Sequence, residues 1–215
     1  MPLFSNYRED QKIFFAHIPR TGGRSVTALF KKSNSFKTDL CSTECETEED
    51  TKLGFKPKRF FYKDTGIELS HLCYDLYWNL VDTTSIPSFT VVRNPISRFL
   101  SYVNYWRTGK NSLISMLQSE QGVIEFFSEA DFSLDIFLKP QWKYCNKNIK
   151  VWKYEDGLND RFVNWLNKEF NLKLKLVHHY ETDLPNPLVL NHFSAILEDK
   201  LRKVYKWDFD YFNYN

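Results

Sequence analysis

Three apolar runs of strand length punctuate the chain, and each is followed by apolar residues at helical spacing. The first, Lys12-Ile13-Phe14-Phe15-Ala16-His17-Ile18, stops at Pro19 and a glycine pair. Beyond it Val26, Leu29 and Phe30 recur three and four residues apart, which predicts an amphipathic helix from about Ser25. The second run, Ser88-Phe89-Thr90-Val91-Val92, ends at Arg93-Asn94-Pro95. Pro95 suits the first turn of a helix, and Phe99, Tyr102, Val103 and Trp106 follow at helical spacing. The third, Ile149-Lys150-Val151-Trp152, precedes Tyr154-Glu155-Asp156 and a helix that aligns Leu158, Phe162, Trp165, Leu166 and Phe170. Strands alternating with helices predict an α/β fold with a central, mostly parallel sheet flanked by helices.

Polar stretches separate these units. Residues 33–58, with the acid run Glu44, Glu46, Glu48, Glu49 and Asp50, read as a solvated loop. Residues 107–147 read as short helices and loops, a natural place for a lid over an acceptor. Later, Ile196, Leu197, Leu201, Val204 and Tyr205 make a helical stripe. The segment Trp207-Asp208-Phe209-Asp210-Tyr211-Phe212 is too aromatic to stand free in water, so it is expected to dock on the body. No repeat or low-complexity segment appears, and 215 residues suit a single domain, 1–215, with a substantial core.

Composition narrows the function classes. Hydrophobic residues make up 42% and aromatics 17%, which excludes a disordered chain. The 29 Lys+Arg against 27 Asp+Glu leave a net charge of +2, too little for a global field toward nucleic acid or an anionic membrane. An anionic ligand would need a local cluster. No run of 18 or more apolar residues exists, so no membrane span is expected, and the first ten residues lack the apolar stretch of a signal peptide. The four cysteines, Cys41, Cys45, Cys73 and Cys145, are too scattered for a disulfide framework. Cys41-x-x-x-Cys45 has no second pair to complete a zinc site. Reduced thiols in a cytoplasmic-type compartment follow as the expectation.

A local cluster is present at the end of the first strand. His17-Ile18-Pro19-Arg20-Thr21-Gly22-Gly23-Arg24-Ser25 joins strand to helix. Two glycines let backbone N–H groups converge, and the helix start adds free donors and the positive end of its dipole. Such glycines also suit an ordinary turn. Arg20, Arg24, Thr21 and Ser25 around them favour an oxyanion cradle of the P-loop type. It is not a Walker A motif, since Ile18 stands where the first Gly is required. A second cluster, Val92-Arg93-Asn94-Pro95-Ile96-Ser97-Arg98-Phe99-Leu100-Ser101-Tyr102, puts Arg93 at a strand's C-terminal end, where open α/β sheets bind ligands. Ser101, two helical turns on, shares a face with that helix start. An Arg fork plus a hydroxyl suits a terminal phosphate; an Arg paired to the acidic loop and an exposed Ser remain the alternative.

Together the two segments resemble the sulfotransferases that use 3′-phosphoadenosine 5′-phosphosulfate (PAPS), specifically their carbohydrate branch. Residues 17–25 are similar to its first motif, His-Ile-Pro-Lys-Thr-Gly-Gly-Thr-Ser, and residues 92–102 to its second, Val-Arg-Asn-Pro-x-x-Arg-x-x-Ser-x-Tyr. Tyr154-Glu155-Asp156 and Tyr205-x-x-Asp208-Phe209 resemble later landmarks, so the likeness runs along nearly the whole chain. The resemblance implies a P-loop NTPase-like α/β fold, PAPS as donor substrate and no metal. Arg20, Thr21, Gly22, Gly23, Arg24 and Ser25 would hold the 5′-phosphosulfate, and Arg93 and Ser101 the 3′-phosphate. The acceptor would be a hydroxyl, most naturally of a carbohydrate. Members in the animal Golgi carry a membrane anchor; this chain is more similar to a soluble bacterial or viral form, or to a shortened one.

Two positions depart from that pattern. Arg20 replaces the usual Lys, thought to stabilise the bridging oxygen as the bond to sulfur breaks, and Arg24 replaces Thr. Arg supplies the same charge but no transferable proton, and its fork needs more room. The expected general base is His71, between the two motifs, with Glu68 and Asp64 as alternates. His17 reads as structural, and His178-His179, adjacent on an extended segment, would point to opposite faces rather than share a metal. Two rival functions remain open: a P-loop nucleotide kinase or NTPase, and a carbohydrate-binding relative without turnover.

Overall fold

The computed structural model describes residues 3–6, 11–33, 36–39, 42–45, 59–62, 85–107, 119–129, 137–176 and 195–215. The strands are β1 (Leu3–Asn6), β2 (Lys12–Ala16), β3 (Phe36–Asp39), β4 (Ser42–Cys45), β5 (Arg59–Tyr62), β6 (Ser88–Val92) and β7 (Lys150–Lys153). The α-helices are α1 (Gly23–Lys32), α2 (Pro95–Arg107), α3 (Glu120–Glu129), α4 (Asp160–Phe170), α5 (Ala195–Val204) and α6 (Lys206–Phe212). Short 3-10 turns occupy Gln141–Tyr144 and Tyr154–Asp156.

Five strands form one sheet in the order β3-β1-β2-β6-β7. β2, β6 and β7 run parallel, with Phe15 opposite Phe89 and Thr90 opposite Val151. β1 runs antiparallel to both β2 and β3. The expected mostly parallel sheet is therefore mixed: a parallel trio with an antiparallel flank. β4 and β5 pair separately.

β6 is buried at every position, as its unbroken apolar run requires of a strand covered on both faces. Its one central polar side chain is satisfied inside the sheet, where Thr90 Oγ1 donates to Ala16 O at 2.7 Å. On one face Ile13, Phe15, Phe89 and Val91 pack against Val26, Leu29 and Phe30 of α1 and Phe162, Leu166 and Phe170 of α4. Phe89 sits at the centre of this layer, its ring centroid 4.9 Å from Phe15 and 5.7 Å from Phe170. Burying each such side chain stabilises by roughly 1.5–3 kcal/mol. The other face places Phe14, Ala16 and Val92 against Tyr144 and Phe212. A third cluster joins α2, α3, α5 and α6 through Phe99, Val103, Val123, Leu197, Leu201 and Phe209.

Several boundaries differ from the sequence pattern. The first strand ends at Ala16 rather than Ile18, because the chain turns into the loop before Pro19. Part of the stretch expected as a solvated loop is β-structure: β3 extends the sheet, and β4 includes Glu44. Glu46, Glu48, Glu49 and Asp50 lie outside the described residues, as do Cys41 and Cys73. Ile196 faces outward, so the stripe of α5 is Leu197, Leu201, the half-buried Val204 and the following Tyr205. The aromatic segment docks through Asp208, Phe209 and Phe212, whereas Trp207 and Tyr211 remain exposed. Among the described residues no helix is long and apolar enough to cross a membrane.

Candidate functional site

Because β2, β6 and β7 are parallel, the segments that follow them leave the sheet along one edge. Residues 17–22, 93–94 and 154–157 therefore meet there.

The first loop is held open by its own hydrogen bonds. Thr21 is fully buried and its hydroxyl donates to Ile18 O at 2.8 Å. Arg98, 2% exposed on α2, donates through Nε to Pro19 O at 3.0 Å and through Nη2 to Phe137 O at 2.7 Å. Arg20 adopts φ 68 and Gly22 φ 85, so the chain is left-handed at both. Glycine is required at 22, where a Cβ would also lie 2.6 Å from Leu158 Cδ1. α1 then starts without a side-chain cap at Gly22 and without an acidic residue in its first turn. Neither a side-chain cap nor a carboxylate therefore offsets the positive end of its dipole.

Gly23 is required for a different reason: a Cβ there would lie 1.8 Å from His17 Nε2. The imidazole stacks on Phe15, centroids 5.4 Å apart, and would have to swing away. Gly23→Ala is accordingly expected to lower stability by roughly 1–3 kcal/mol, seen as a lower urea midpoint at unchanged m value.

Three arginines surround this opening. Arg20 Nε and Nη2 donate to Ser101 Oγ at 3.3 and 3.1 Å, and its guanidinium lies 4.5 Å from the Tyr105 ring centroid. The two segments singled out in the sequence therefore touch directly. Arg93 Nη1 makes a long 3.5 Å contact with Arg20 O, and its guanidinium lies 4.6 Å from the Tyr154 ring centroid. Arg93 Nε is buried with no hydrogen-bond partner among the described residues. Arg24 is exposed on the first turn of α1, and Ser25 beside it is half-buried. Burial pushes the Arg20 guanidinium down to about 10, and the charges of Arg24 and Arg93 act in the same direction against the rings of Tyr105 and Tyr154. Burial also lowers Arg93, opposed by Tyr154, Glu155 and Tyr214. The two like charges, held this close, repel each other.

The backbone of Arg93 is fixed by groups far away in the chain. Gln141 Oε1 accepts from Arg93 N at 2.9 Å, and Gln141 Nε2 donates to Arg93 O at 2.7 Å. Asp208, fully buried, accepts from Gln141 N and Trp142 N, both at 2.9 Å. Burial holds its carboxyl above the usual carboxylate range, against the pull of those N–H bonds and the Arg98 charge. Asn94 Oδ1 caps α2, accepting from Ile96 N and Ser97 N at 3.1 and 3.2 Å.

The chain matches no protein-family model, no curated protein and no solved structure.

Arg20, Thr21, Gly22, Gly23, Arg24, Ser25, Arg93 and Ser101 all lie at or beside the one sheet edge. The Thr21 hydroxyl closes the loop rather than facing outward. His71, Glu68 and Asp64, the expected bases, fall outside the described residues, as do His178 and His179. Sequence reasoning missed Tyr105 and Gln141, and it placed Tyr154 and Asp208 in landmark segments without giving them a part in the site. Arg98 stood within the second motif, but only its burial reveals that it grips the first loop. Among the described residues no His, Cys, Asp and Glu are grouped to hold a metal ion.

Proposed function

We propose that this chain is a PAPS-dependent sulfotransferase with a P-loop NTPase-like core, acting on a hydroxyl of a carbohydrate. The observation that carries this reading is the meeting of Arg20 with Ser101 while Arg93 lies alongside. Two strand-end segments thus present positive charge and a hydroxyl within reach of one nucleotide. The buried, unpartnered Nε of Arg93 suits an anionic oxygen, as a 3′-phosphate would supply.

In this reaction the acceptor oxygen attacks sulfur in line and forms the new S–O bond. The bond from sulfur to the bridging oxygen breaks, and 3′-phosphoadenosine 5′-phosphate (PAP) leaves with the electron pair. The acceptor proton passes to His71. Arg20 and the N–H groups at the start of α1 stabilise charge developing on the leaving phosphate, so catalysis is mainly positioning and electrostatics.

The deciding experiment is thermal stabilisation by PAP compared with ATP and magnesium, followed by transfer of radiolabelled sulfate from PAPS to a glycan panel. PAP at about 100 times its Kd should add about 2.7 kcal/mol. Stabilisation by ATP and magnesium alone would assign the chain to kinases or NTPases. PAP binding without transfer to any glycan would assign a relative that has lost turnover.

His71→Ala should lower kcat by about a hundredfold or more and leave the Kd for PAP unchanged. Unchanged turnover would pass the role of base to Glu68 or Asp64.

A further inference from the structure

The peptide group joining Arg93 to Asn94 is gripped from both sides. Its oxygen accepts from Gln141 Nε2 at 2.7 Å, and its N–H, that of Asn94, donates to Glu155 Oε1 at 2.7 Å. The preceding N–H, that of Arg93, donates to Gln141 Oε1 at 2.9 Å. These three bonds fix both backbone torsions of Arg93, and with them the direction in which its side chain leaves the strand.

Both gripping residues are themselves held by α6 and the residues after it. Behind Gln141, the Asp208 carboxylate accepts from Gln141 N and Trp142 N and so anchors the 3-10 turn that carries the amide. Behind Glu155, the Tyr214 hydroxyl donates to Oε2 at 2.8 Å. Tyr214 is seated by its own N–H to Phe209 O at 3.0 Å and by Lys153 Nζ, 4.5 Å from its ring centroid. Burial, helped by the Glu155 charge, keeps its phenol above the ordinary range, so it remains a donor. The two legs share α6 as anchor but reach Arg93 by separate side chains: one through the fully buried Gln141 amide, the other through Glu155 on the exposed side.

We propose that Asp208 and Tyr214 are positioning residues, which act through Gln141 and Glu155 to aim the Arg93 guanidinium at the 3′-phosphate. This rests on the reading of the site as a PAPS site. A free arginine head samples many rotamers, and ordering it at binding weakens affinity. Motion of the strand end would add backbone freedom to that loss, and a brace from two directions removes this backbone part before the ligand arrives.

The test compares PAP with AMP, which differ by the 3′-phosphate, in calorimetric titrations of the whole chain. Gln141→Met keeps the volume and removes both amide bonds. It should reduce the ratio of PAP to AMP affinity about tenfold, and should have no further effect on that ratio in an Arg93→Ala background. Tyr214→Phe, which loosens only the outer leg, should reduce it about threefold. A role in folding alone would lower stability and leave the ratio untouched. A native ratio near one would overturn the PAPS reading itself. A large native ratio that survives Gln141→Met would overturn the brace and leave the PAPS reading standing. If Gln141→Met does not fold, Gln141→Glu is decided the same way, since it keeps the acceptor for Arg93 N but loses the donor to Arg93 O.

Discussion

Arg93→Ala should weaken PAP binding about a hundredfold while AMP binding changes by less than about threefold. Hydrogen bonds from a charged donor to a phosphate contribute roughly 1.5–3 kcal/mol each. Two from one guanidinium give about 3 kcal/mol, and each 1.4 kcal/mol is a factor of ten in Kd. The environment supports at least the lower end of that range for each bond. Arg93 is largely withdrawn from water, lies against the Tyr154 ring, and has a buried Nε without a partner among the described residues. AMP lacks the group this donor would meet. Titrations belong at one fixed ionic strength, since exposed charges such as Arg24 contribute a salt-dependent background to both ligands. Equal losses for PAP and AMP would mean that Arg93 does not read the 3′-phosphate.

Arg98→Met should produce the largest loss of stability, roughly 3 kcal/mol. The methionine fills the space of the aliphatic stem but removes the donor that Arg98 gives to the buried Pro19 O and to the part-buried Phe137 O. Each orphaned buried acceptor costs about 1–3 kcal/mol. The fully buried Asp208 also loses the cation that favours its ionised form. For a chain of this size the midpoint of thermal unfolding should fall by about 6–12 °C. A fall of under about 2 °C would show that both carbonyls find other partners. Arg98→Lys should recover only part of the loss, because one ammonium cannot replace a fork that reaches two carbonyls in different segments.

Which parts of this molecule could be read from its sequence follows from where each element derives its stability. β6 was legible to the residue, because a strand covered on both faces needs an unbroken apolar run and Arg93-Asn94-Pro95 ends it sharply. α1 and α4 were legible because each lays one periodic apolar stripe on the sheet. β1 and β3 were not: each has four residues, and backbone pairing with a neighbour holds them in place. The same division runs through the site. Arg20, Arg93 and Ser101 stand in compact local patterns, and the structure brings them together. Gln141 carries no local signal and Asp208 stood only in a landmark segment with no role attached, because what each does lies in bonds that span 48 and 67 residues of sequence. Tyr105 carried no signal of its own, and Tyr154 stood in a landmark segment without a role, until the arginines above them were located.

The left-handed turn at Arg20, latched by Thr21 and tethered by Arg98, bears on kinetics as well as affinity. A loop already wound when the chain folds has no closing step to complete once a nucleotide touches it. Capture should then proceed at the rate of diffusional encounter, accelerated by the positive field and slowed by added salt, with no slower unimolecular phase after contact.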